Sequence, residues 1–290
     1  MTTIVVGIDG SSASRTALSW AARRATEVGA RLRIVHVVDD EWGAGQERMR
    51  ASEDDLVSRA GEVSAEFPAL EIDVVLASGN PSVELVRMAS DAEMLVIGTH
   101  KTGFVQGRVF GSRALRLAAS SDVPLAVVPA QTSGTRSGVA VGIETSAASD
   151  AAVQFGAQEA RRTGDDLVLV LATGSPGPTG RSAALVDSPE MAERELEVVA
   201  HAIRVVESVS SDVGVRVRTV RRPPSQALVD IAGNVRLLVV GSSRRHQDGV
   251  AALGPVSHDV LVNIASPTVV VHPSKGRDLV PIGSERARGA

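Results

Sequence analysis

Two short segments of this sequence carry the residue types from which an anion site is built. One is Asp9-Gly10-Ser11-Ser12, directly behind an apolar run. The other starts at Gly98-Thr99-His100-Lys101, also behind an apolar run, and continues through Gly103, Gly107 and Gly111 to Ser112. Glycines let a loop turn tightly and bring backbone N–H groups to an anion with no Cβ in the way. Gly111-Ser112 leads into a helical stretch, so it would offer a phosphate the N–H groups of a helix N-terminus and a hydroxyl. A glycine-rich loop is also an ordinary way to join a strand to a helix. Asp9 serves equally well as a cap of the next helix, alongside Ser11 and Ser12.

Elements that would position these segments are legible as alternating patterns. Continuous runs of Val, Ile and Leu read as strands buried on both faces: Ile4 to Ile8, Leu32 to Val38, Ile72 to Leu76, Met94 to Ile97 and Leu125 to Val128. Between them, Ser12 to Val28 has small apolar residues at helical spacing with Ser14 as a plausible cap. Residues 46–66 form a charged amphipathic helix, Ser82 to Ala89 starts behind Pro81, and Gly111 to Ala119 is the last helix. Alternating β and α predicts a parallel sheet with right-handed crossovers and helices on both faces. In such sheets a ligand binds beyond the carboxyl ends of the strands at the topological switch point, where both segments would lie.

The pattern occurs twice. Ile4-Val-Val-Gly-Ile-Asp-Gly-Ser11 returns as Val139-Ala-Val-Gly-Ile-Glu-Thr-Ser146, 135 residues later, while Gly98, Gly111 and Pro124 return as Gly241, Gly254 and Pro267, 143 residues later. One insertion of 143 − 135 = 8 residues explains the change of offset, and Thr173 to Gly180 has the turn chemistry to hold it. The expected strands of the second copy are Val139 to Ile143, Leu167 to Leu171, Val215 to Val220, Leu237 to Val240 and Thr268 to Val271. The expected division is repeat 1 over 1–131, a linker over 132–138, repeat 2 over 139–274 and a polar tail over 275–290. The fold class is therefore α/β, as two tandem doubly wound five-stranded parallel-sheet domains.

Composition removes several functions. Aromatic residues make up 2% of the chain, too few for the stacking platforms of single-strand and sugar binding, and the net charge of -4 gives no global attraction to nucleic acid or anionic lipid. With no Cys, disulfides, thiolate metal sites and thiol catalysis are out, which suits a cytoplasmic location. The start of the chain reads as neither signal peptide nor membrane span. No G-x-x-x-x-G-K-[ST], G-x-S-x-G or G-x-G-x-x-G pattern occurs, so a binder is expected and not an enzyme. Solvated helix or loop positions account for most of the Arg pairs beginning at 23, 161, 221 and 244, while His36 and His272 read as satisfied imidazoles in or beside strands and His258-Asp259 as a surface or capping pair.

The strand order, the opening IVVGIDGS, the loop with glycines at 98 and 111 followed by Ser112, and the closing VPLAVVP together resemble the universal stress protein family in its tandem form, over roughly nine-tenths of the chain. ATP-binding members have Gly, two residues, Gly, nine residues, then Gly-Ser or Gly-Thr. The resemblance implies phosphate and ribose contacts at Gly98, Gly111 and Ser112. It also places Asp9 beside the nucleotide and its metal, and the backbone at Val38 against adenine. Lys101 stands at the family's second glycine. If that position needs positive φ, a Lys costs on the order of 1–2 kcal/mol, unless its ammonium gains a phosphate contact. Repeat 2 departs further, with Arg244 at the second glycine, Pro255 for the Ser and Glu144 for the Asp. Ser257 survives there, and Arg244-Arg245 could still bind an anion.

The expected function is a stress-response regulator that binds ATP or another adenine nucleotide mainly in repeat 1, the second site being weak or empty, with Mg²⁺ arriving on the nucleotide through Asp9. The alternatives are an interaction scaffold independent of nucleotide and, by fold analogy alone, an enzyme. The final strands of the two copies are expected to pair as an intrachain pseudo-dimer. A homodimer of chains and a regulatory protein partner are expected, and neither nucleic acid nor membrane is.

Overall fold

A computed structural model describes residues 1–39, 46–100, 112–131, 136–176, 182–183, 189–243, 245–247 and 250–273. Its first half runs β1 (Thr3–Ile8), α1 (Ser12–Val28), β2 (Arg31–Val38), α2 (Gln46–Glu66), β3 (Ile72–Ser78), α3 (Pro81–Met88), β4 (Met94–Thr99), α4 (Ser112–Ser120) and β5 (Leu125–Pro129). The second half runs β6 (Val139–Gly142), α5 (Ala147–Thr163), β7 (Leu167–Ala172), β8 (Ser175–Pro176), β9 (Ser182–Ala183), α6 (Pro189–Val209), β10 (Val215–Val220) and α7 (Pro224–Ala232). It ends with β11 (Leu237–Gly241), β12 (Arg245–Gln247), β13 (Val250–Ala252), α8 (Pro255–Val262) and β14 (Thr268–Val271). The linker residues 132–135 and the tail 274–290 lie outside the described residues.

The first helix of each half is set by the same end signals. Ser11 is extended and its hydroxyl accepts from the Ser14 N–H, while Gly29, at φ 66°, turns the chain out of α1 in the left-handed conformation. Ser146 and Gly164, at φ 67°, do the same for α5. This corrects the expected cap. Ser14 sits inside the first turn, where its hydroxyl donates to the Ser11 carbonyl at 3.0 Å and lies 3.3 Å from the Asp9 N–H, which donates to it.

The main strands form one ten-stranded sheet in the order β10-β7-β6-β11-β14-β5-β4-β1-β2-β3. Within each half every pairing of this sheet is parallel, and the two halves join through antiparallel β14 and β5. The expected pairing of the final strands is thus present within the chain. The order reverses between β1 and β4, and again between β6 and β11. Two crevices open there at the carboxyl ends.

Each sheet face is covered by one continuous core that runs through both halves. One core packs Ala17 and Ala21 of α1, Leu56 of α2, Ala152 and Phe155 of α5 and Ala202 of α6 against strand residues such as Ile4, Ile34 and Leu169. The other packs Leu85 of α3, Leu117 of α4, Leu228 of α7 and Val260 of α8 against Val5, Leu95 and Leu238. Fully burying each Val, Leu or Ile contributes about 1.5–3 kcal/mol, so the sheet needs no aromatic filling.

Three expectations change. The edge strands β3 and β10 are not buried on both faces: Val74 and Val217 are exposed, and β10 turns most of its residues to solvent because its outer side has no partner. Two short antiparallel ladders, β8 with β9 and β12 with β13, were not expected. Arg24 is not solvated but 2% exposed, in ionic contact with Glu159.

Candidate functional site

In the first crevice the chain leaves β1 and turns at Gly10, whose φ of 77° favours glycine. The turn folds Asp9 back over the start of α1, and its Oδ1 accepts from the Ser11 N–H at 3.1 Å. The other carboxylate oxygen lies 3.7 Å from a guanidinium nitrogen of Arg113, in the first turn of α4. Burial acts to raise the Asp9 pKa. The hydroxyl and N–H of Ser11, the Ser14 hydroxyl and the Arg113 charge outweigh it and hold the carboxyl below its ordinary value of 3.8. The crevice therefore carries an ionised carboxylate facing a cation at a helix N-terminus.

Gly98 has a packing reason that the sequence did not reveal. A Cβ there would lie 2.3 Å from the backbone C and O of Ala13, because the first turn of α1 rests directly on the end of β4. Gly241 repeats this against Ala148, at 2.1 Å from its carbonyl oxygen. This glycine is demanded by helix-on-strand packing in both halves, whatever the loop binds. Val38 ends β2, buried, and its carbonyl accepts from the Gly79 N–H at 3.0 Å. Ser112 opens α4. Lys101 and Gly111, with the rest of the loop between Lys101 and Gly111, lie outside the described residues.

Arg113 was missed, though a signal existed. A cation in the first turn of a helix opposes the macrodipole unless an anion faces it. Arg113 directly follows Ser112, so its position was itself a hint of a nearby carboxylate or ligand.

In the second crevice the same groups are occupied by one another. The Ser146 hydroxyl donates to Glu144 Oε1 at 3.0 Å, and the Glu144 N–H donates to the Ser149 hydroxyl at 3.0 Å. Ser257 is buried and donates to the Gly241 carbonyl at 3.0 Å. Pro255 starts α8 behind Gly254, with no side-chain cap. The β12–β13 ladder lies between Gly241 and Gly254, the stretch that corresponds in sequence to Gly98–Gly111, and Arg244 lies outside the described residues. His272 reaches from this crevice into the first half. Its Nδ1 is 2.5 Å from the Ser242 carbonyl oxygen and its Nε2 is 2.7 Å from that of Ala118.

His258 and Asp259 are both half exposed, with Nδ1 3.3 Å from Oδ1, and Ser225 donates to the other oxygen of Asp259 at 3.3 Å. The carboxylate sits between Ser and His, so the histidine cannot take the serine proton and the group is not a nucleophilic triad. Among the described residues no group of three His, Asp or Glu is placed to hold a metal, and no helix is long and apolar enough to cross a membrane.

The family model described as "Universal stress protein family" matches residues 1–129 and again 137–272. The chain belongs to the universal stress protein family, in tandem form. Universal stress protein Rv1996 of Mycobacterium tuberculosis is 29% identical over 297 residues, covering 92% of this chain and 94% of the relative. A universal stress protein from Archaeoglobus fulgidus shares the fold of the whole tandem, with TM-score 0.71 at 16% identity over 93% of this chain and 98% of that one. A universal stress protein solved in complex with cAMP covers 45% of this chain and 98% of its own at 27% identity, with TM-score 0.37. The expected membership of this family, in tandem form, is confirmed for both halves.

Proposed function

We propose that this universal stress protein binds an adenine nucleotide, ATP first among them, in the crevice of its first repeat, and that occupancy regulates a stress-response partner without turnover. The observation that carries this reading is the meeting of Asp9 with Arg113 at 3.7 Å, which brings the loop after β1 and the N-terminus of α4 to one crevice. An anion entering there finds a guanidinium, helix N–H groups and a glycine-rich sequence between Gly98 and Ser112. Asp9 would give a Mg²⁺ one protein oxygen, the remaining ligands coming from phosphate and water, and the ion would offset phosphate charge. Gly111, Ser112 and Lys101 would contact phosphate or ribose, with the Val38 backbone near adenine. Phosphate binding without a positioned base makes a binder, not a fast hydrolase.

Repeat boundaries at 1–131 and 139–274, around a linker over 132–138 and before a tail over 275–290, belong to the same proposal, as does a cytoplasmic location. So does association of two chains, which light scattering tests. With β5 and β14 already paired to each other, such a dimer would use other surfaces.

Thermal denaturation with ATP and Mg²⁺ is the test. A ligand at 100 times its Kd stabilises the folded state by about 2.7 kcal/mol, and Gly111→Ala is expected to remove most of that gain. No shift at millimolar ATP rejects the proposal. The competing reading, a scaffold independent of nucleotide, is favoured by the second crevice, where the serine and glutamate side chains are already partnered. Mass spectrometry of gently purified protein separates the two, because near-stoichiometric nucleotide eliminates the scaffold.

A further inference from the structure

Where the two repeats meet, residues that occupy the same place in each carry opposite charges. The capped helices α1 and α5 correspond with the offset Ser146 − Ser11 = 135. The same offset takes Arg24 to Glu159, Glu27 to Arg162 and Trp20 to Phe155. Each charged residue touches its own counterpart. A terminal guanidinium nitrogen of Arg24 donates to the Glu159 carboxylate, and one of Arg162 donates to Glu27. Arg162 also donates to Glu159 at 2.9 Å, and the Trp20 and Phe155 rings flank the Arg24 guanidinium at 5.9 and 5.7 Å.

Residues that meet their own counterparts lie on a local two-fold axis, and the sheet gives the same axis independently. Leu125, Ala126 and Val127 face Val270, Val269 and Thr268. With the offset of 143 that holds for the later strands, Ala126 and Val269 are counterparts, and the other two pairs exchange symmetrically about them. In an interface between identical units, the residue on such an axis meets itself. Two copies of repeat 1 would set Arg24 against Arg24 and Glu27 against Glu27. Two copies of repeat 2 would set Glu159 against Glu159 and Arg162 against Arg162. Arg24 and Glu159 have side chains 2% and 3% exposed, so water would not screen the clash. Glu93, 3.5 Å from Arg24, extends the pattern: its counterpart at 93 + 143 = 236 is Arg236, which turns to Asp165 at 3.1 Å.

We infer that this charge exchange codes the repeat interface, so that the α1 face of repeat 1 accepts a repeat 2 and rejects another repeat 1. Apolar side chains of similar volume would stabilise a buried axis as well or better, so what the ion pairs contribute is discrimination. Every pairing then joins the half carrying Gly111-Ser112 to the half carrying Gly254-Pro255, and a symmetric pair of first crevices does not form.

The full chain can be made to carry each rejected pairing. Arg24→Glu with Glu27→Arg gives both halves the signs of repeat 2, and Glu159→Arg with Arg162→Glu gives both the signs of repeat 1. Each double variant is expected to melt about 6–12 °C below the parent, whereas all four substitutions together restore opposite signs and recover most of the loss. Arg24→Met with Glu159→Leu and Glu93→Gln, which roughly keeps the volume and removes the charges around Arg24 while Arg162 stays with Glu27, is expected to stay within a few degrees of the parent. Double variants that melt with the parent would overturn the inference. So would a fourfold variant as unstable as the doubles, or a Met/Leu/Gln variant that falls as far, since each makes packing and not sign the governing property.

Discussion

The two crevices share a scaffold and differ in what their polar groups do. In each, a serine caps the first helix and a glycine, at the end of β4 or of β11, lets that helix rest on the sheet. In the first, Asp9 faces Arg113, and the chain enters α4 through Gly111 and Ser112. In the second, the places of Asp9, Ser112 and Arg113 are taken by Glu144, Pro255 and Val256. Glu144 accepts from its own helix cap, as Asp9 does from the Ser11 N–H, but Val256 stands in the place of Arg113, and Ser257 donates to the Gly241 carbonyl. Some of the motif therefore belongs to the fold, some is left to the proposed ligand, and comparing the repeats separates the two. Of the glycines that both keep, Gly98 and Gly241 have a packing cause, whereas a Cβ at Gly254 would meet nothing within 4 Å; what only the first keeps is the cation, the hydroxyl and the N–H at the helix start.

The largest effect that could break this comparison is on the shared glycines. Gly98→Ala and Gly241→Ala each force a Cβ onto backbone atoms of the first helix turn, at a cost of about 3 kcal/mol. Chemical denaturation should give the two similar losses. If Gly98→Ala leaves stability intact and abolishes only nucleotide binding, the glycine belongs to the ligand after all. Next in size, Arg113→Ala is expected to weaken ATP binding about tenfold, or about 1.4 kcal/mol, by removing the cation that faces the phosphates. The matching change Val256→Arg in repeat 2 should create no site, because Pro255 still lacks the N–H and hydroxyl. Unchanged affinity in Arg113→Ala would leave the crevice without its main charge argument.

The smallest effect is on pH dependence. The Asp9 pKa is depressed in the folded protein, so the stability it contributes is present above its ordinary value of 3.8 and is lost as pH falls through the lower folded value. The parent should exceed Asp9→Asn slightly at pH 7, and the two should converge under acid conditions. The difference is small because Asp9 is half exposed. A gap that widens toward acid pH would mean the sign of the shift is wrong.

Much of the fold could be read from the residues. The ends of α1 follow from Ser11 and Gly29, the strands from continuous apolar runs, and the tandem order from two offsets that differ by one insertion. What escaped depends on position in space. Val217 is exposed because β10 ends the sheet, and the alternation of Val215-Arg-Val-Arg-Thr-Val220, against the unbroken Leu167-Val-Leu-Val-Leu-Ala172 of β7, was a signal of that which went unused. Ladders as short as β12 and β13 are too brief for alternation to register. Arg24 looked like one of several solvated arginines because its partner lies 135 residues away. At the site, the sequence picked out Asp9 and the loop from Gly98 to Ser112. It could not say that Gly98 is a packing glycine or that Arg113 turns toward Asp9, since both facts need the approach of α1 and α4 to the sheet.

On the proposed function the two repeats are unequal, with one nucleotide site, in the first. Isothermal titration of the full chain with ATP and Mg²⁺ is the decisive measurement. One site per chain is expected, lost in Gly111→Ala and unchanged in Gly254→Ala. Two equivalent sites, a single site lost in Gly254→Ala, or no binding at millimolar ATP would contradict it.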